Sequence, residues 1–177
     1  MYHPSEDSEL LARVLEVTIR REGPASFLDM GCGTGIQSKT AISCGVKKES
    51  IIAADIDEES VEETAKLGVR ALKSDLFENI HQKFDLIAFN PPYLPEDKHD
   101  KGKDTSGGRE GHETIARFLN QAKSHLTQEG IIILLFSSLS GKNRISEIME
   151  KEGFSFKELA RAKFFMEEIY VFKLKLS

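Results

Sequence analysis

Short β-like runs alternate with stretches of helical periodicity along most of this chain, and that alternation restricts the fold more than any other feature. The spacing predicts helices over residues 6–21, 34–44, 58–67, 112–127 and 144–152, and strands over 26–30, 50–54, 69–73, 84–89, 131–136, 154–161 and 167–175. In the first helix Leu10, Leu11, Val14, Leu15 and Ile19 share a face, and in the fourth Ile115, Phe118, Leu119, Ala122 and Leu126 do. Glycines at 23, 45 and 153 follow helix ends, where chains commonly leave the helix. Strands alternating with helices form βαβ units and a mostly parallel sheet. The run 131–136 is apolar throughout, which predicts cover on both faces. No helix separates the last two strands, so they form a hairpin and add one antiparallel strand. The expectation is an α/β architecture in a single domain spanning 1–177.

Composition excludes several functions. No apolar run reaches the ~18 residues of a membrane span. The first seven residues are polar and acidic, unlike a secretory signal. Cys32 and Cys44 make neither a disulfide framework nor a zinc site, so a cytoplasmic setting is expected. The five histidines lack ligand spacing, and no metal is expected. A net charge of −5 weighs against unaided binding of long nucleic acid, which gains affinity by neutralising phosphates.

Two motifs carry the chemistry. The first is Leu28-Asp29-Met30-Gly31-Cys32-Gly33-Thr34-Gly35, at a strand-to-helix junction. Glycines allow a tight turn and a close ligand approach there. Asp55 ends the next strand, 20 residues past Gly35, where an acid can accept from ribose hydroxyls. Asp29 would repel a dinucleotide pyrophosphate but suits a ligand with an ammonium and a sulfonium. That favours S-adenosylmethionine (SAM) over NAD. Asp75 follows the third strand and is placed to accept from the adenine amino group, with Leu76 or Ile56 packing on the ring. The competing role for such an acid is a helix N-cap.

The second motif is Asn90-Pro91-Pro92-Tyr93, after the fourth strand. Two prolines stiffen the backbone and remove its donors. What remains can cradle a planar amide or exocyclic amine: its hydrogens donate to the Asn90 side-chain oxygen and the Pro91 carbonyl, and its face lies on Tyr93. Two acceptors favour a more pyramidal, more nucleophilic nitrogen. Residues 94–111 follow without periodicity; a loop this long is usually functional or disordered.

Together these motifs resemble the HemK-like release-factor glutamine N5-methyltransferases. Tyr2-His3-Pro4-Ser5-Glu6-Asp7-Ser8, and Gly107-Gly108-Arg109-Glu110-Gly111 with Arg117-Phe118-Leu119, are similar to segments of its short eukaryotic and archaeal branch. The resemblance implies a Rossmann-like class I methyltransferase fold, with a seven-stranded, mostly parallel sheet, one antiparallel strand and helices on both faces. It implies that Ser8, Asp29, Gly31, Asp55, Asp75, Leu76 and Asn90 line the SAM site, and that Asn90, Pro91 and Tyr93 hold the target glutamine. It implies the Gly-Gly-Gln loop of a translation termination factor as substrate. A small zinc-binding activator subunit is implied as partner. Two other acceptors stay open, a lysine and a nucleic-acid base amine (adenine N6 or guanine N2). An inactive SAM-fold binding subunit is a further alternative, although Asp29, the glycines and Asn90 are all present.

Overall fold

The computed structural model describes residues 6–92, 112–164 and 166–177. Seven strands form one sheet in the order β3-β2-β1-β4-β5-β7-β6. The strands are β1 (Phe27–Met30), β2 (Ile51–Asp55), β3 (Arg70–Lys73), β4 (Phe84–Phe89), β5 (Leu126–Ser137), β6 (Phe154–Lys163) and β7 (Glu168–Leu176). Strands β1 to β5 pair in parallel. Strand β7 runs antiparallel to both β5 and β6, and sits between them.

The helices are α1 (Glu6–Glu22), α2 (Ile36–Ser43), α3 (Glu58–Ala65), α4 (Glu113–Ala122) and α5 (Lys142–Lys151). Successive strand residues point to opposite faces of a sheet, so each central strand feeds two cores. Ile132, Leu134 and Phe136 of β5 pack with Ile115, Phe118 and Leu119 of α4 and with Ile145 and Met149 of α5. Ile131, Ile133 and Leu135 lie on the other side, in the core that holds Leu11, Leu15 and Ile19 of α1 and Ala41 of α2. Helices thus cover both faces of β5, which is why its sequence is apolar without alternation. Each such fully buried side chain contributes roughly 1.5–3 kcal/mol. No helix among the described residues is long and apolar enough to cross a membrane.

Two of the boundaries that differ from the sequence reading have a clear physical cause. Helix α2 begins at Ile36 rather than Thr34, because Gly35 has φ 74° and cannot continue a right-handed turn. Helix α4 stops at Ala122; a 3-10 turn follows, and Leu126 is the first residue of β5. Leu126 is buried as its spacing required, but from a strand. The four-residue step from Ala122 matches a helical face by coincidence. The register between β4 and β5 also shifts: Phe84 pairs with Leu126, and Leu86 with Ile131. The Thr127 hydroxyl donates to Asp85 (2.8 Å) across this irregularity.

Gly130 makes the bulge possible. A Cβ there would lie 2.8 Å from the Phe84 carbonyl oxygen and 3.0 Å from the Thr127 nitrogen. Both are backbone atoms that cannot swing aside. Gly130→Ala should therefore cost about 1–3 kcal/mol, read as a lower urea midpoint. An unchanged midpoint would mean that the bulge opens freely.

Candidate active site

In open α/β sheets, ligands bind beyond the carboxyl ends of the strands. Here the ends of β1 and β4 meet the first turn of α1 around a cleft. Ser8, Asp29, Gly31, Gly33 and Asn90 line it, all of them expected from sequence, together with Met30, Cys32, Thr34, Ile36 and Gln37, which were not. Among the described residues, none that lines the cleft carries a positive charge.

The glycine-rich turn is built from the β1–β2 pairing. The Gly31 and Cys32 amides both donate to the Ala54 carbonyl, at 2.8 and 3.1 Å. The Gly33 amide donates to the Asp55 carboxylate (2.9 Å), and the Gly35 amide to the Cys32 carbonyl (2.7 Å). These four N–H groups are committed within the protein and are not offered to a phosphate, as the turn amides of a dinucleotide site are. Gly35 closes the turn against α3: a Cβ there would meet Leu67 Cδ1 at 2.9 Å and Thr64 Oγ1 at 3.0 Å.

Asp29 lies at the floor, 1% exposed. Its Oδ2 accepts from the Ser38 amide (2.9 Å) and the Ser38 hydroxyl (2.6 Å). Burial pushes its carboxyl up to about 7, against those hydrogen bonds, and the nearby Asp55 charge adds to the rise. Burial also raises Asp55, despite hydrogen bonds from the Asp57 and Gly33 amides that favour its charged form. The helix cap in this region is Asp57, not Asp55: its side chain accepts from the Ser60 amide (2.9 Å) at the start of α3.

The remaining candidates divide. Ile56 is 62% exposed and presents an apolar side chain beside Asp55. Leu76 is 6% exposed and points into the core, so only its backbone is presented. It has φ 51°, which is unusual for leucine. Ser74 Oγ steadies this turn, donating to the Leu76 carbonyl (2.7 Å) and accepting from the Asn79 amide (3.0 Å). The Asp75 carboxylate accepts from Arg117 of α4 (2.9 Å) in an exposed pair. It serves as no helix cap. Gly35, Asp55, Ile56, Asp75 and Leu76 are not among the cleft's lining residues.

Asn90 is held from the far end of the chain. Its Nδ2 donates to Asp7 Oδ2 (3.3 Å) and to Ser8 Oγ (3.2 Å). A carboxylate accepts and cannot donate, so Asp7 fixes which way the amide faces. Asn90 Oδ1 is then buried without a partner among the described residues. Pro91 is buried and Pro92 half-buried. Tyr93, the segments 1–5 and 107–111, and the loop 94–111 lie outside the described residues. Asp7 belongs to the amino-terminal segment that resembles the family, although no role was assigned to it there; no sequence signal tied Gln37 to this cleft.

Residues 5–166 match the methyltransferase small domain family. A Methanocaldococcus jannaschii protein, provisionally named a protein N5-glutamine methyltransferase, is 36% identical across 97% of this chain and 89% of its own length. The Schizosaccharomyces pombe eRF1 methyltransferase catalytic subunit mtq2 is 24% identical across 98% of this chain and 88% of its own. Among solved structures, the E. cuniculi Mtq2–Trm112 complex, responsible for methylation of the eRF1 translation termination factor, aligns with a TM-score of 0.79. The identity is 27%, covering 99% of this chain and 98% of that one.

The burial of Asp29 has a consequence for stability. Its folded value of about 7 lies above the ordinary 3.8. Between those values the folded chain binds more protons than the unfolded chain, so stability falls as pH rises through this window. Asp29→Asn removes the titration and keeps an oxygen for Ser38. Its advantage in melting temperature over the parent should grow between about pH 4 and about pH 7 and level off above that. A pH-independent difference in thermal melts would contradict a neutral Asp29.

Proposed function

Because this chain belongs to the methyltransferase small domain family, we propose that it transfers a methyl group from SAM to the side-chain nitrogen of a glutamine in a translation termination factor. The methyltransferase class follows from that membership. The donor and the acceptor rest on the chemistry of the cleft and on the activities named for the relatives.

The cleft suits a cationic ligand. It is lined by a buried carboxyl group and by two residues whose side-chain oxygens lack partners among the described residues, Gln37 and Asn90. Asp29, Ser8, Gly31 and Gly33 would hold the amino-acid end of SAM. Asp55 would take the ribose, and Ile56, with the Asp75 and Leu76 turn, would border the adenine. When bound, SAM supplies a methyl group on a sulfonium, which departs as a neutral thioether.

One observation carries the acceptor: the unpaired oxygen of Asn90. Its amide nitrogen is committed to Asp7 and Ser8, and its oxygen has no partner among the described residues. An amide N–H of the substrate satisfies that oxygen, and the Pro91 carbonyl is placed next in the chain to take the second hydrogen. A buried acceptor left unpaired costs about 1–3 kcal/mol, so the site favours ligands that donate. With both hydrogens held, the substrate nitrogen loses conjugation and turns its lone pair toward the donor; the N–C bond forms as the S–C bond breaks, and the nitrogen then releases one of its two protons to solvent. Positioning supplies most of the rate in such a reaction, and acceptors aimed at the developing positive charge add to it. Tyr93 completes the cradle in this proposal, and Pro92 stiffens it. No nucleophilic serine or cysteine takes part.

The proposal extends to a partner. The E. cuniculi relative was solved with Trm112, and a small activator of that kind, carrying zinc, would complete this enzyme in the cytoplasm.

Mass spectrometry of a termination factor bearing a Gly-Gly-Gln loop, incubated with SAM and the enzyme, tests the reading. A mass increase of one methyl on the glutamine is expected. Asn90→Ala should lower transfer on the order of a hundredfold, while S-adenosylhomocysteine binds nearly as before. Transfer at the parent rate would refute the role of Asn90. Methylation of an oligonucleotide but not of the factor would favour a base amine instead.

A further inference from the structure

Gln37 is a cleft residue that the glycine motif does not include. It sits in the first turn of α2, with 5% of its surface exposed. Its side-chain nitrogen is used: Nε2 donates to the Ser8 carbonyl (3.0 Å), tying α2 to the start of α1. Its side-chain oxygen is not. Oε1 is buried without a partner among the described residues, and Gln37 lines the same cleft as Asp29 and Asn90.

Two physical points restrict what this oxygen binds. An amide oxygen only accepts, so its partner must donate. The cleft favours a cation: Asp29 lines it too, with a carboxyl that a positive charge beside it would ionise, and among the described residues no lysine, arginine or histidine does. The start of α2 offers no rival anion site at this point, since the Ser38 amide already donates to Asp29. A donor group with positive charge satisfies Oε1 and Asp29 together.

We propose that Gln37 binds the α-ammonium of the cofactor's amino-acid tail through its unpaired side-chain oxygen. The proposal rests on the reading of SAM as donor. Asp29 supplies charge to that ammonium, and Gln37 supplies a directed acceptor. Through Nε2 the same side chain keeps Ser8 in place, and Ser8 in turn holds Asn90. Gln37 therefore links occupancy of the amino-acid subsite to the segment that orients the substrate.

Calorimetry with two ligands tests this without turnover: S-adenosylhomocysteine, and the same thioether lacking the α-amino group. The parent enzyme should prefer S-adenosylhomocysteine. Gln37→Met, of similar shape but without the amide oxygen, should lose about tenfold or more in affinity for it, as expected for a hydrogen bond to a charged group. Its affinity for the amine-free thioether should fall much less, since there only the lost Nε2 contact with Ser8 counts. Gln37→Glu keeps an oxygen at this position and should preserve or strengthen the preference, which serves as the test should the methionine variant fold poorly. Equal losses for both thioethers in Gln37→Met, or a weaker preference in Gln37→Glu, would overturn the role of Gln37 alone. Binding of neither thioether to the parent would overturn the cofactor reading, and the role of Gln37 with it.

Discussion

The amide of Asn90, hydrogen-bonded to Asp7 and Ser8, joins positions 82 and 83 residues apart in the chain. The candidate site depends on this contact. Strand β4 brings Asn90 to the edge of the sheet, but a strand end alone would leave its amide free to turn. The first turn of α1 supplies a carboxylate that only accepts and a hydroxyl beside it, and so commits the amide nitrogen. The amide oxygen is then left as the unsatisfied group. Gln37 repeats the pattern from α2, with its nitrogen on the Ser8 carbonyl and its oxygen unpaired. Two amides, both anchored through nitrogen to one turn of α1, leave two acceptors without partners among the described residues.

Acceptors in excess define the electrostatics of the cleft. Asp29 is buried so deeply that its carboxyl rises to about 7. Asp55 is raised by the same desolvation. Without a cation these groups are a burden on stability, since an uncompensated buried charge is costly. A cationic ligand reverses the balance. The glycine turn fits the same conclusion from the opposite direction, because its amides are consumed by Ala54, Asp55 and Cys32. An anion-binding turn would leave them pointing outward.

Much of this was legible along the chain. Hydrophobic periodicity located seven strands and five helices, and the continuous apolar run 131–136 anticipated cover on both faces of β5. Patterning succeeds there because burial on a sheet or helix face is a local, repeating demand. It failed at Leu126, where a strand residue fell by chance on the helical repeat of α4. It also could not tell Leu76 from Ile56 as an exposed apolar surface. Both follow an acid near a strand end, and only packing decides that Leu76 turns inward while Ile56 stays out. The pairing of Asp75 with Arg117 was equally hidden, since it spans 42 residues.

By itself the sequence determined the alternation of elements, the glycine turn after β1, the acids at the strand ends and the stiff Asn-Pro-Pro corner. Each of these is a short segment whose conformation follows from its own residues. Tertiary structure alone decided that β7 lies between β5 and β6, that Asp7 faces Asn90, and that Gln37 reaches Ser8 inside the cleft. Those are contacts between distant segments, made when the whole sheet buries its two faces, and no local pattern encodes which side chains then meet.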